Sequence, residues 1–136
     1  MALPHSNQAG PTHKTKYSAG ADLMSNEDVK INPGQTVLIG TGFKLSRYHE
    51  LSGMVYMLFI RSSLSFKRGI SLANGVGVID ADYKDEVKVM LTNHSKEPQC
   101  IVKGERIAQI VPMRYVQGFF EVEDNERSGG FGSTGE

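Results

Sequence analysis

Cysteine, unbalanced charge and long apolar runs are all scarce in this sequence of 136 residues. Cys100 is the single cysteine, so no intrachain disulfide can form, and the chain suits a reducing compartment. Fifteen Lys+Arg offset 15 Asp+Glu for a formal net charge of zero. Polybasic nucleic-acid binders carry a marked cationic excess, so no nucleic-acid partner is expected here, and an anionic ligand would have to be held by local groups. The longest unbroken apolar run, Met54 to Ile60, is far shorter than the roughly 18 residues of a membrane span. A soluble protein with no membrane partner is expected. Met1–Gly10 shows neither a basic n-region nor an apolar h-region, and with no targeting segment visible a cytoplasmic location is the expectation. His5, His13, His49 and His94 are scattered without a metal-ligand spacing, which argues against a zinc enzyme.

Glycine, by contrast, is plentiful, at 15 residues, and it sits between short β-branched and aromatic runs. That pattern predicts strands over Val37–Leu45, Met54–Ile60, Gly77–Ile79, Val87–Leu91, Ile107–Val111 and Phe119–Glu123. Asn32-Pro33-Gly34 reads as a turn ahead of the first, with proline presetting φ and glycine free to take φ > 0. Val87, Val89 and Leu91 alternate with polar residues, as a half-buried strand requires. No window of similar length has a 3.6-residue period. One short helix is expected after Arg61, with Ser62 as cap, Leu64 and Lys67 inside and Gly69 as terminator. The expectation is a single all-β domain over residues 1–136, barrel or sandwich, with a core at about 15–124 and a flexible glycine-rich C-terminal arm at 125–136.

Chemistry concentrates in a few segments. Asn74 to Glu86 sets glycines, an apolar step and the acids Asp80, Asp82 and Asp85 just before a clear strand, although aspartates are also ordinary turn residues. Arg61-Ser62-Ser63-Leu64 joins a guanidinium fork to two hydroxyls, a combination that suits phosphate. The tail from Arg127 to Gly135 places an arginine and Phe131 among glycines and serines, where a plain linker has neither. It lacks the Gly-Lys-Ser/Thr of a Walker loop. Ala19-Gly20-Ala21-Asp22-Leu23 and Gly104-Glu105-Arg106-Ile107-Ala108-Gln109 are weaker signals taken singly.

Together and in this order, the five segments resemble the five motifs of the trimeric deoxyuridine triphosphate nucleotidohydrolases (dUTPases), from Ala19 to Gly135. The resemblance implies a distorted jelly-roll-like β-barrel of the β-clip type. It also implies hydrolysis of dUTP to dUMP and pyrophosphate with Mg²⁺ on the triphosphate. Asp80 would activate the water that attacks the α-phosphorus, a task for a carboxylate within hydrogen-bond reach. Tyr83 would stack beneath the deoxyribose and exclude a 2′-hydroxyl. Asn74 would bond the uracil edge, with Gly77 and Val78 lining the base and sugar pocket. Arg61, Ser62, Ser63 and Gln109 would hold phosphates, and Arg127, Phe131, Gly132 and Ser133 would close over the nucleotide. Asp22 would orient a water on Mg²⁺, which keeps most of its waters and takes few carboxylates. Each active site would combine motifs from three subunits of a homotrimer.

The sequence departs from the family pattern at Lys84-Asp85, where Arg-Gly is common before the glutamate, and has one residue fewer than many members between Arg127 and Phe131. Two other readings compete. A dCTP deaminase shares the fold and an Arg-Ser-Ser-Leu segment, but it needs a glutamate base ten residues after the hairpin aspartate, and this chain has Met90 there. A catalytically idle nucleotide-binding relative would be expected to have lost its base or its lid, whereas Asp80, Tyr83, Gln109, Arg127 and Phe131 are all present.

Overall fold

The alternation in Glu86–Asn93 does what a period of two must: Val87, Val89 and Leu91 point one way and are 1%, 0% and 0% exposed. The computed structural model describes residues 10–45 and 53–123. In chain order the elements are β1 (Thr12–His13), β2 (Ala21–Met24), β3 (Val29–Ile31), β4 (Thr36–Lys44), β5 (Met54–Ile60), α1 (Ser62–Arg68), β6 (Ile70–Leu72), β7 (Gly77–Asp80), β8 (Glu86–Asn93), β9 (Gln99–Ile101) and β10 (Arg106–Arg114). They form a five-stranded sheet ordered β1-β2-β10-β5-β7, a three-stranded sheet β4-β8-β6 and a two-stranded ribbon β3-β9. All the pairings are antiparallel. The jelly-roll-like all-β class therefore holds, with the strands shared among three sheets.

Between the sheets lies one apolar cluster that includes Leu23, Ile31, Ile39, Leu58, Leu91 and Ile107. Asn93 is completely buried among these groups, and every polar atom of its side chain is used. Its Nδ2 donates to the carbonyls of Ile31 (2.9 Å) and Glu97 (2.8 Å), while Oδ1 accepts from the Ser95 N–H (2.9 Å) and hydroxyl (2.7 Å). A satisfied buried amide of this kind ties β3 and the turn before β9 to the end of β8.

Local signals explain the joints. Gln35 N–H donates to the Asn32 carbonyl at 2.9 Å and Gly34 has φ 78°, so Asn32-Pro33-Gly34-Gln35 closes as the expected type II turn. Helix α1 ends at Gly69, left-handed at φ 66°, but it does not begin as the sequence suggested. Arg61 occupies the capping position with φ −77° and ψ 136°, without a side-chain cap bond, and Ser62 is the first helical residue. Arg61 is still extended like β5, and the helix takes over at Ser62, one residue earlier than a Ser62 cap would place it. The strand expected at Phe119–Glu123 is also absent: those residues carry no strand, and Phe119 and Phe120 are 74% and 81% exposed. Strand-forming composition alone does not make a strand, and these residues pair with no strand among the described residues.

Candidate active site

In the five-stranded sheet, residues paired across strands share a face. Asp22 on β2 pairs with Gln109 on β10, which pairs with Phe59 on β5, so all three project from the outer face. Their neighbours Ala21, Ala108 and Leu58 point inward and are buried. Arg61 follows directly from β5 and reaches back to this row. Its Nε lies 3.5 Å from Asp22 Oδ1, and Arg106 Nε lies 3.8 Å from Asp22 Oδ2. These are loose ion pairs rather than tight bidentate ones, and the Asp22 side chain keeps only 16% exposure between the two guanidiniums. Gly20 lies beside them, and a Cβ there would fall 2.5 Å from Gln109 Oε1 and push that amide aside. Ser62 and Ser63 are exposed at the start of α1. The structure thus gathers Asp22, Arg61 and Gln109 and adds Gly20 and Arg106, two positions that sequence reasoning did not single out. Arg106 sits within the Gly104–Gln109 segment, but a single arginine entering a strand carries no signal of a partner 84 residues earlier.

A second group surrounds β7. Asn74 is exposed in the turn before it, where Gly75 takes φ 73° and the Val76 N–H donates to the Asn74 carbonyl at 2.8 Å. Gly77 is buried against β5, and a Cβ there would come within 2.8 Å of Leu58 Cβ. Val78 is 64% exposed on the outer face, paired with Met57. Asp80 closes β7, exposed, and its carbonyl accepts the Tyr83 N–H at 3.1 Å. Tyr83 itself is packed into the core at 7% exposure and donates its hydroxyl to the Glu86 carbonyl at 2.9 Å. A sugar could therefore meet only a small exposed part of that ring.

The two groups are far apart in one chain. Asp80 pairs with Val55, whereas the Asp22–Gln109 row meets β5 at Phe59. Three interstrand spacings of about 4.8 Å and four residues at about 3.4 Å put Asp80 and Asp22 roughly 20 Å apart on the same face. Between them lie Val55, Met57, Phe59, Val111 and Met113, an apolar strip only partly covered. Met90, the position that a deaminase would fill with its glutamate, stands on β8 opposite Leu38 in the three-stranded sheet and offers no proton-transfer group. The expected closing residues Arg127, Phe131, Gly132 and Ser133 lie outside the described residues.

Mg²⁺ can be tested against these donors. Among the described residues no group of three or more His, Cys, Asp and Glu side chains could form a protein cage for a metal. One partly exposed carboxylate, Asp22, flanked by Arg61 and Arg106, would fit a magnesium ion held mainly by a polyphosphate and touching the protein through water. No helix among the described residues is long and apolar enough to cross a membrane.

Residues 7–135 match the family model described as dUTPase. The chain is 49% identical over 132 residues to the deoxyuridine 5′-triphosphate nucleotidohydrolase of Nautilia profundicola, covering 92% of this chain and 89% of that protein. It is 46% identical over 132 residues to the same-named protein of Ectopseudomonas mendocina, covering 92% and 86%. Among solved structures, Streptococcus mutans dUTPase superposes with a TM-score of 0.72 at 33% identity over 85% of this chain and 88% of that one. A family model spanning nearly the whole sequence, with relatives near half identity, leaves one conclusion: the chain belongs to the dUTPase family.

Proposed function

We propose that this protein hydrolyses dUTP to dUMP and pyrophosphate, with the catalytic groups supplied by different subunits of a homotrimer. The observation that carries the assembly is the separation on the outer face: a triphosphate held at Asp22, Arg61 and Gln109 lies roughly 20 Å from the same chain's Asp80. A base must stand within hydrogen-bond reach of its water, so Asp80 serves a site completed by another copy. The apolar strip between the two groups is the surface such a copy would cover. Removal of dUTP from the nucleotide pool, and supply of dUMP, follow from the reaction itself.

Within that site, Asp80 accepts the proton of the attacking water while Asn74 and the β7 backbone hold the base. Val78 and Tyr83 border the base and sugar. Arg61, Ser62, Ser63 and Gln109 fix the phosphates in line, and Asp22 exchanges its loose ion pairs for a water on the metal. Mg²⁺, when bound with the substrate, neutralises triphosphate charge. Arg127, Phe131, Gly132 and Ser133 cover the nucleotide from the tail of a further subunit. The chemistry is mainly positioning and charge neutralisation, as phosphoryl transfer without a covalent intermediate requires.

The test is pyrophosphate release from dUTP, dCTP, dTTP and UTP, with and without Mg²⁺, for the wild type and Asp80→Asn. Conversion of dUTP alone to dUMP, lost in Asp80→Asn while nucleotide binding persists, is the expected result. Wild-type turnover by Asp80→Asn would remove Asp80 as the base, and ammonia released from dCTP would restore the deaminase.

A further inference from the structure

The pairing of β4 with β8 runs evenly from Thr36↔Thr92 to Gly40↔Lys88 and then jumps to Lys44↔Glu86. Three β4 residues, Thr41 to Phe43, stand where β8 has only Val87, a bulge that must satisfy its surplus backbone groups locally. Thr41 supplies part of the answer, donating its hydroxyl to the Val87 carbonyl at 2.6 Å and accepting the Phe43 N–H at 3.2 Å. The rest comes from Glu86, whose Oε2 accepts the Gly42 N–H at 2.7 Å. Its carboxylate occupies the space above Gly40, where a Cβ would lie 2.6 Å from Oε2. Gly42 takes φ 72°, a conformation that presents its N–H to the carboxylate. Three features of β4, a missing Cβ, a left-handed glycine and a hydroxyl, thus converge on the first two residues of β8.

The other end of Glu86 points to the chemistry. Its carbonyl receives the Tyr83 hydroxyl at 2.9 Å, and the Tyr83 N–H in turn binds the Asp80 carbonyl at 3.1 Å. We infer that Glu86 is a positioning residue. Its carboxylate fastens the segment from Asp80 to Glu86 to the β4 bulge and so fixes the base and the sugar-facing tyrosine relative to each other. This rests on the reading of Asp80 and Tyr83 given above. A glutamate in this role acts through Tyr83 and Asp80 and touches no substrate.

Two variants disturb the contact from opposite sides. Glu86→Ala removes the acceptor. Gly40→Ala adds a methyl group that pushes the flexible carboxylate end away while leaving Glu86 in the sequence. Glu86→Gln keeps an acceptor oxygen and should rescue. Amide hydrogen exchange of peptides covering 40–44 and 80–86 is read beside kcat and KM for dUTP and UTP, with thermal midpoint and oligomeric mass as controls. Both disruptive variants should raise exchange in the two peptides by about tenfold, the change that loss of one charge-assisted hydrogen bond implies. They should lower kcat for dUTP and narrow the dUTP-to-UTP preference, and the double variant should be no worse than either single one. Wild-type exchange in Glu86→Ala would overturn the contact itself. Raised exchange with unchanged kcat and unchanged preference would overturn its role. Failure of the underlying reading shows separately, as full turnover by Asp80→Asn with the exchange pattern of Glu86→Ala intact.

Discussion

At the scale of single residues, the chain distinguishes positions kept for packing from positions kept for chemistry. Gly77 falls in the hairpin segment that the sequence marks as functional, yet its surroundings give it a packing role, since the Leu58 Cβ fills the space of a side chain. Gly77→Ala should lower stability by about 1–3 kcal/mol, the usual cost of forcing one carbon into a filled interior, and thermal denaturation will measure it. Asn93 makes the complementary point. Replacing it with leucine leaves the Ile31 carbonyl without its partner in a buried setting and removes the bonds that hold Ser95 and Glu97 to the end of β8. Asn93→Leu should cost about 1–3 kcal/mol, read as a shift of the urea midpoint. Asp22 differs from both, because its two arginine contacts are long, at 3.5 and 3.8 Å, as the proposed change of partners at a bound polyanion would need.

Elements were legible where local chemistry alone decides them. β5 appears with the bounds of its apolar run, and β8 follows its alternation, because strand pairing on both sides rewards those side chains. The Asn-Pro-Gly turn and the Gly69 terminus follow from backbone geometry that few other residues adopt. Gly34→Ala, at φ 78° with nothing within 4 Å of the new methyl, should therefore cost about 1 kcal/mol from strain alone, measurable as a lowered thermal midpoint. Short strands such as β3, β6 and β9 escaped notice because three residues carry too little periodicity. Phe119–Glu123 failed for a different reason: its composition favours a strand, but a strand needs a partner, and among the described residues it pairs with none. The site was legible as residue types, through motifs, and not as contacts. Neither the Arg106–Asp22 approach nor the Glu86 seat above Gly40 leaves a trace in sequence spacing.

For the whole molecule, the five-stranded sheet sets the terms. Its outer face carries acids at two distant corners with a greasy strip between them, and under the proposed reading one copy of the chain would hold parts of several sites. Co-expression of Asp80→Asn with Asp22→Asn offers a direct reading. Each variant alone should be nearly inactive, whereas randomly mixed trimers should recover roughly a quarter of wild-type activity, since each mixed trimer contains one fully intact site. Mixed trimers no more active than either variant alone would contradict sharing between copies. A further consequence concerns the protein's own abundance. If, as proposed, each site needs groups from several copies, turnover per molecule would become a function of enzyme concentration. Activity would fade on dilution faster than the protein is diluted, and substrate, by bridging the copies, would hold the assembly together at concentrations where the empty enzyme falls apart.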